Sequence, residues 1–369
     1  MPTASSDDTD LEALRTGIRD VLEREAACDR VQAFVAGGSP FHTELWASAA
    51  ALGWPALPIA EAHGGLGLDF TALAVLYEEL GRFVAPVPLV GSMLVAEALA
   101  QGGSPEQQAA WLPRIASGET PAALALDCAQ SFGEVRLTRN GSMLTLSGHA
   151  GDLVEGGAAK LLLIGAAEAD GTPHYVLVEP EADGVSVVVE RTADQTRHLA
   201  HADFKETQLP AARLLHGPAR SLADTLLSHA ALALACDALG GAAAILDQTI
   251  EYLKIREQFG KPIGSFQALK HRCADHKVAL ESSGALVREA VAKQAAEAPD
   301  APLFAAMAKF QACDTYAAIA TDAVQLHGGI GFTWEHPCHL YLKRAKLNQA
   351  LFGTCAAYAD RAAELLMAA

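Results

Sequence analysis

Two short stretches in the C-terminal half of the chain carry side chains and backbone groups able to grip something outside it. The first reads Tyr252-Leu-Lys-Ile-Arg256-Glu-Gln-Phe259-Gly260-Lys-Pro262-Ile-Gly264-Ser-Phe-Gln267. A helix here ends in a charged turn at Phe259-Gly260, and Pro262 stops it from continuing. Arg256 is a permanent cation with forked donors. The second reads Asp322-Ala-Val-Gln325-Leu-His-Gly328-Gly329-Ile-Gly331-Phe332-Thr333. Here a helix stops at paired glycines, which leave backbone amides exposed and let another surface approach closely. A plain helix end would not need so particular a set of residues at that spacing.

Other chemistry-bearing groups are set aside. Ala62-His63-Gly64-Gly65-Leu66-Gly67 lacks a preceding strand and a phosphate-cradle spacing, so it reads as a loop. Glu335-His336-Pro337-Cys338-His339 is not read as a metal site, because Pro337 breaks any helix that would align its ligands. His271, Cys273 and His276 are spaced around a helix rather than along one face. Asp237, on an apolar helix, reads as a hydrogen-bonded core residue, and neither it nor Glu251 is taken as a catalytic base.

The elements that must position the two motifs follow from periodicity. To about Gly118 the chain is helical, with apolar residues at helical spacing over Leu11 to Ala27, Thr71 to Arg82 and Ser92 to Ala100. From Thr120 short β-type runs follow: 122–126, 134–138, 144–147, 161–165, 175–179 and 185–190. Turn pairs such as Asn140-Gly141 and Asp170-Gly171 punctuate them. No helix-length segment separates these runs, so an antiparallel barrel or sandwich is expected rather than a Rossmann sheet. After Pro210 long Ala- and Leu-rich segments at 221–257, 266–295, 302–327 and 339–367 imply a four-helix bundle. The fold class is mainly α with a central β domain, divided as 1–119, 120–216 and 217–369.

Composition narrows the partners. The 369 residues carry a formal net charge of −17 and no basic run, which argues against a nucleic-acid surface. Seven cysteines stand singly, with no CxxC pair, so a reducing cytoplasm is expected. The acidic start MPTASSDDTD does not read as a signal peptide. Ala230 to Leu246 is the longest apolar stretch, shorter than the roughly 20 residues of a membrane span, and reads as a buried core helix.

Together the two motifs resemble the acyl-CoA dehydrogenase family, as does Leu52-Gly53-Trp54 … Glu61-Ala-His-Gly64-Gly65 … Tyr77-Glu-Glu-Leu80-Gly81-Arg82. The resemblance runs along nearly the whole chain and implies a helical domain, a β barrel and a four-helix bundle. It also implies that the motifs lie at a subunit interface and clasp the ADP end of an FAD whose ring sits mainly in the neighbouring subunit. Arg256 would then meet pyrophosphate oxygens, and Phe259 would face the adenosine part. Gln267 and Gln325 would add hydrogen bonds, and the Gly328-Gly329 amides would lie against the cofactor.

The chain also departs from the family pattern. The Thr-Glu-Pro-x-x-Gly-Ser-Asp type motif of the β domain is replaced by Leu126-Asp127-Cys128-Ala-Gln-Ser-Phe132-Gly133. Asp152-Leu153-Val154-Glu155 stands where a Trp-Ile-Thr-Asn strand would cover the flavin ring. The family's usual base, a Glu before Gly-Thr, is Phe352 in Gln349-Ala350-Leu351-Phe352-Gly353-Thr354. The alternative position on the first bundle helix falls near Ala230. No catalytic residue is assigned. Some bacterial members, notably those acting on CoA thioesters of steroid side chains, pair two paralogous subunits, and this chain resembles the one without the base. The resemblance implies a heterotetramer with a paralogous acyl-CoA dehydrogenase subunit, an acyl-CoA substrate and an electron-transferring flavoprotein as acceptor. A homo-oligomeric dehydrogenase with an unrecognised base and a flavin-free structural partner stand as alternatives.

Overall fold

The computed structural model describes residues 6–39, 41–126, 128–130, 132 and 134–368. Helices come first: α1 (Ser6–Glu25), α2 (Cys28–Gly37), α3 (Thr43–Ala51), α4 (Phe70–Arg82), α5 (Leu89–Gly102) and α6 (Pro105–Ala116). Seven strands follow: β1 (Ala122–Leu124), β2 (Val135–Asn140), β3 (Met143–Val154), β4 (Leu161–Ala167), β5 (Pro173–Val178), β6 (Val185–Val189) and β7 (Leu199–Pro210). The C-terminal part contains α7 (Ala219–Ile255), the short strands β8 (Glu257–Gln258) and β9 (Lys261–Pro262), α8 (Gln267–Ala295), α9 (Ala301–His327), α10 (Cys338–Ala350) and α11 (Cys355–Ala368). The order helical, β, helical matches the sequence reading. The chain packs as two compact units, Met1–Ala36 with Phe70–Ala85 and Ala231–Ala369, and Gly37–Asp69 with Pro86–Ala230. The N-terminal helices are therefore shared out, with α1, α2 and α4 in the first unit and α3, α5 and α6 in the second.

In the second unit the strands form one sheet in the order β1-β4-β2-β3-β7-β6, with β5 paired to β4. Most pairs are antiparallel, but β1 runs parallel to β4, and β2 meets β4 in parallel at one point. The expectation of a purely antiparallel sheet is corrected there: α5 packs on β1, and Gly91 allows it, since a Cβ would lie 2.7 Å from the Ala122 carbonyl. Leu137, Leu144, Leu146, Leu162, Ile164, Val176 and Val178 fill the inner face. The strand β7 was not anticipated. It alternates like any half-buried strand, but Ala200 and Ala202 hold inward positions where β-branched residues would signal one.

In the first unit α4 crosses α7 at glycine. A Cβ at Gly81 would lie 2.0 Å from the Asp237 carbonyl, and one at Gly240 would lie 1.8 Å from that of Glu78. Either alanine would force the helices apart, at a cost of about 1–3 kcal/mol. Glu79 is buried between them and α1, where Arg15 (2.9 Å) and Arg19 (2.9 Å) hold its carboxylate. The 37-residue α7 is long and apolar enough to cross a membrane, yet 94% of its most apolar window is buried within the protein. It is a core helix. The last expected helix, 339–367, is instead two helices: the chain breaks at Leu351–Thr354, where Phe352 (φ 58°) and Gly353 (φ 118°) leave helical geometry.

Candidate functional site

The end of α7 builds the first half of the candidate site. After Ile255 the Arg256 amide still donates to the Tyr252 carbonyl at 2.9 Å, and β8 and β9 then fold back on each other. Both turn residues are left-handed, Phe259 at φ 55° and Gly260 at φ 75°, the signature of a type I′ hairpin turn. Ile263 N closes the hairpin onto the Arg256 carbonyl at 2.8 Å. The turn throws Phe259 outward, 90% exposed, with its ring edge-on to Phe266 at 6.1 Å. Gln267, exposed, opens α8.

The end of α9 builds the second half. Gly328 donates its amide to the Gln325 carbonyl and takes φ 64° with ψ −140°, a conformation reserved for glycine. Gly329 is different: its φ is not left-handed, and a Cβ there would meet nothing within 4 Å. Nothing in the chain itself requires a glycine at 329. An open face at a glycine is what close approach of an external group would require.

These two ends meet in a cleft of about 290 Å³ lined by Arg256, Gln325, Gly328 and Gly329 together with Tyr252, Gln258, Ile263, Leu269, Arg272 and His327, among others. Four of the six residues named from the sequence thus share one cleft, while Phe259 and Gln267 stand outside its lining. Leu269 and Arg272 were missed, although i, i+3 spacing at the start of α8 puts them on one face. Arg272 and Arg256 differ in charge state of their surroundings. Arg272 is ion-paired to Asp322, which also bonds His276 at 2.8 Å. Among the described residues Arg256 has no acidic partner, so its cation is available to an anion entering the cleft.

Behind the turn lies an aromatic and histidine stack. Tyr252 stacks on His327 at 4.5 Å, and His327 lies 4.2 Å from His336. Burial, together with the neighbouring histidines His327 and His339, lowers His336 to about 4, and burial raises the Cys338 thiol to about 12.

The positions where a base or a flavin-ring motif was sought have other roles. Phe352 is buried, as is Ala230. Glu251 is exposed and paired with Lys254. Asp237 is the hydrogen-bonded core residue expected: it accepts from Arg344 Nη1 at 2.9 Å and from Asn348 Nδ2 at 2.6 Å, with all three buried. Lys309, also buried, donates to the Asn348 carbonyl. In the second unit Leu126 and Phe132 are buried, and Phe132 packs edge-on against Tyr175 at 5.2 Å. Asp127, Ser131 and Gly133 of that segment lie outside the described residues. Leu153, Val154 and Glu155 are buried, and Glu155 accepts from the Gly91 amide at 3.3 Å.

The acyl-CoA dehydrogenase N-terminal domain matches residues 8–119, and the acyl-CoA dehydrogenase C-terminal domain matches residues 220–366. The chain therefore belongs to the acyl-CoA dehydrogenase family, flavoprotein oxidoreductases built on this helical, β, helical order. It is 34% identical over 334 residues to the acyl-CoA dehydrogenase IpdE2 of Mycobacterium tuberculosis, covering 90% of this chain and 89% of that one. Among solved structures it superposes on a variant of the Tcur3481-Tcur3483 steroid ACAD with a TM-score of 0.88 and 31% identity, covering 98% of each chain. It superposes on the ChsE4-ChsE5 complex of Mycobacterium tuberculosis with a TM-score of 0.91 and 27% identity, covering 100% of each.

Proposed function

We propose that this chain is the subunit of a heteromeric, FAD-dependent acyl-CoA dehydrogenase that completes a cofactor site for a paralogous catalytic subunit. The observation that carries the reading is the Arg256 cation, without an acidic partner among the described residues, in a cleft shared with Gln325, Gly328 and the sterically unconstrained Gly329. An anionic, pyrophosphate-bearing cofactor fits this donor set. The guanidinium fork matches phosphate oxygens, the open face at Gly329 lets them approach the backbone, and Gln325 adds a side-chain amide. Phe259 and Gln267, outside the cleft, would be met by a ligand that extends along the hairpin. FAD, when bound, supplies the hydride acceptor for α,β-desaturation of an acyl-CoA thioester. This chain's part is to bind and orient the ADP end.

The missing base supports assigning the chemistry to the partner. Proton abstraction needs a carboxylate within reach of the acyl α-carbon. Here Phe352 and Ala230 are buried and apolar, Glu251 is paired with Lys254, and Asp237 is bonded to Arg344 and Asn348. The similarity to a steroid ACAD and to a two-component complex favours a steroid-type acyl-CoA as substrate class. The domain limits 1–119, 120–216 and 217–369, a cytoplasmic location and an electron-transferring flavoprotein as acceptor belong to the same proposal. Co-expression with a paralogue that carries an intact base, followed by native mass determination, tests the assembly. A mixed oligomer of both chains is expected, and a homo-oligomer that ignores the paralogue overturns the reading.

A further inference from the structure

His327 ends α9, the chain turns at Gly328, and it returns through Phe332 to His336 and Cys338 at the start of α10. One ring nitrogen from each histidine and the Cys338 sulfur all lie within 4.8 Å of one another. Pro337, which prevents these residues from sharing a helix, sits at the return of the loop that brings them against His327. The sequence stretch 335–339 alone offered no such set, because the third donor comes from the preceding helix.

The protonation pattern of His327 points to a ligand. Its Nδ1 lies 2.8 Å from the Ala323 carbonyl, an acceptor, so Nδ1 carries the proton and Nε2 holds the lone pair. That Nε2 is buried with no hydrogen-bond partner, in a side chain only 3% exposed. A buried acceptor left unpaired is costly, and metal-bound histidines commonly tie their other N–H to a backbone carbonyl in this way. Cys338 is fully buried, with its sulfur 3.4 Å from Nδ1 of the His327 ring, and His336 is half-buried.

We propose that His327, His336 and Cys338 form a binding site for a borderline-soft divalent cation of the zinc type. Two imidazoles and a thiolate suit such an ion and are poor ligands for magnesium or calcium. Three protein ligands leave a fourth position to water. Cys338 binds as thiolate, so occupancy releases one proton to solvent. The bound ion pins the loop that carries Gly328 and Gly329, and so stiffens one wall of the cleft. The site does not depend on the flavin reading, because its donors are complete within this chain.

The test uses the full chain, stripped with a chelator and titrated with zinc against a chromophoric competitor, then with cobalt. The expected result is one zinc per chain and a thiolate-to-cobalt charge-transfer band in the near ultraviolet. Cys338→Ser removes that band, and His336→Ala weakens zinc by at least about tenfold. If Cys338→Ser fails to fold, the half-buried His336→Ala variant and the cobalt spectrum of the native chain still decide. Absence of the cobalt band in the native chain overturns the proposal, as does stoichiometric zinc with unchanged affinity in His336→Ala.

Discussion

Replacing Arg256 by alanine separates a cofactor-holding cation from an ordinary charged residue at a helix end. Arg256 is exposed and has no acidic partner among the described residues, so its removal leaves no buried charge behind. Folding stability should therefore change by no more than about 0.5 kcal/mol. The effect on flavin depends on what the guanidinium meets in the assembled complex. A solvent-screened ion pair contributes about 0–1 kcal/mol, at most a roughly fivefold change in affinity. A charge-assisted hydrogen bond to phosphate in a closed site contributes about 1.5–3 kcal/mol, or roughly tenfold to a hundredfold and more. The FAD dissociation constant of the complex, followed by flavin fluorescence, distinguishes these cases. Arg256→Ala is expected to weaken FAD by more than tenfold, with Arg256→Lys between the two because it keeps the charge but loses the fork. An unchanged flavin affinity in a folded, assembled Arg256→Ala complex would refute the assignment.

Other perturbations give independent readings. Asp237→Ala leaves Arg344 buried without its carboxylate and Asn348 without its acceptor, and should cost about 3–5 kcal/mol in chemical denaturation. Burial opposes ionisation of Glu97, yet its hydrogen bond and charge contact with His229, aided by Gln101, hold its carboxyl below the usual 4.5. That stabilisation is present above the ordinary carboxylate range and is lost as pH falls through the lowered value. Wild type should therefore exceed Glu97→Gln in stability at pH 6 and lose that margin in acid, as measured by denaturant melts at both pH values. Phe352→Glu should create no acyl-CoA-dependent flavin bleaching in this chain without its partner. It should instead destabilise the fold, since Phe352 is 3% exposed and a carboxylate there would be buried. Partner-independent bleaching would mean that the β domain holds a complete site.

The long helices and the two glycine-bearing turns were legible because their signals are local. Helical spacing, Pro262 and Gly328 act within a few residues. What was missed depends on packing or on weak local signals. Helix α6 falls in the stretch read as helical to about Gly118 but was given no bounds of its own, although Ser104 and Gln107 form a capping box that marks its start. The strand β7 was hidden by small inward residues, Ala200 and Ala202. The break at Leu351–Thr354 is marked by Gly353 alone in a helix-favouring stretch. Arg256, Gln325 and the two glycines, named together from their motifs, line one cleft, and Arg272 and Leu269 join them at the start of α8. The meeting of His327 with His336 and Cys338 is tertiary: the loop must first fold back before those residues are neighbours.

The most direct measurement of the central claim is the flavin content of the purified chain, alone and with its paralogue, by absorbance after denaturation, with protein quantified in the same samples. The account predicts a colourless chain on its own and a yellow complex with fewer FAD molecules than chains. A yellow homo-oligomer of this chain, with one FAD per chain and acyl-CoA dehydrogenase activity, would contradict it.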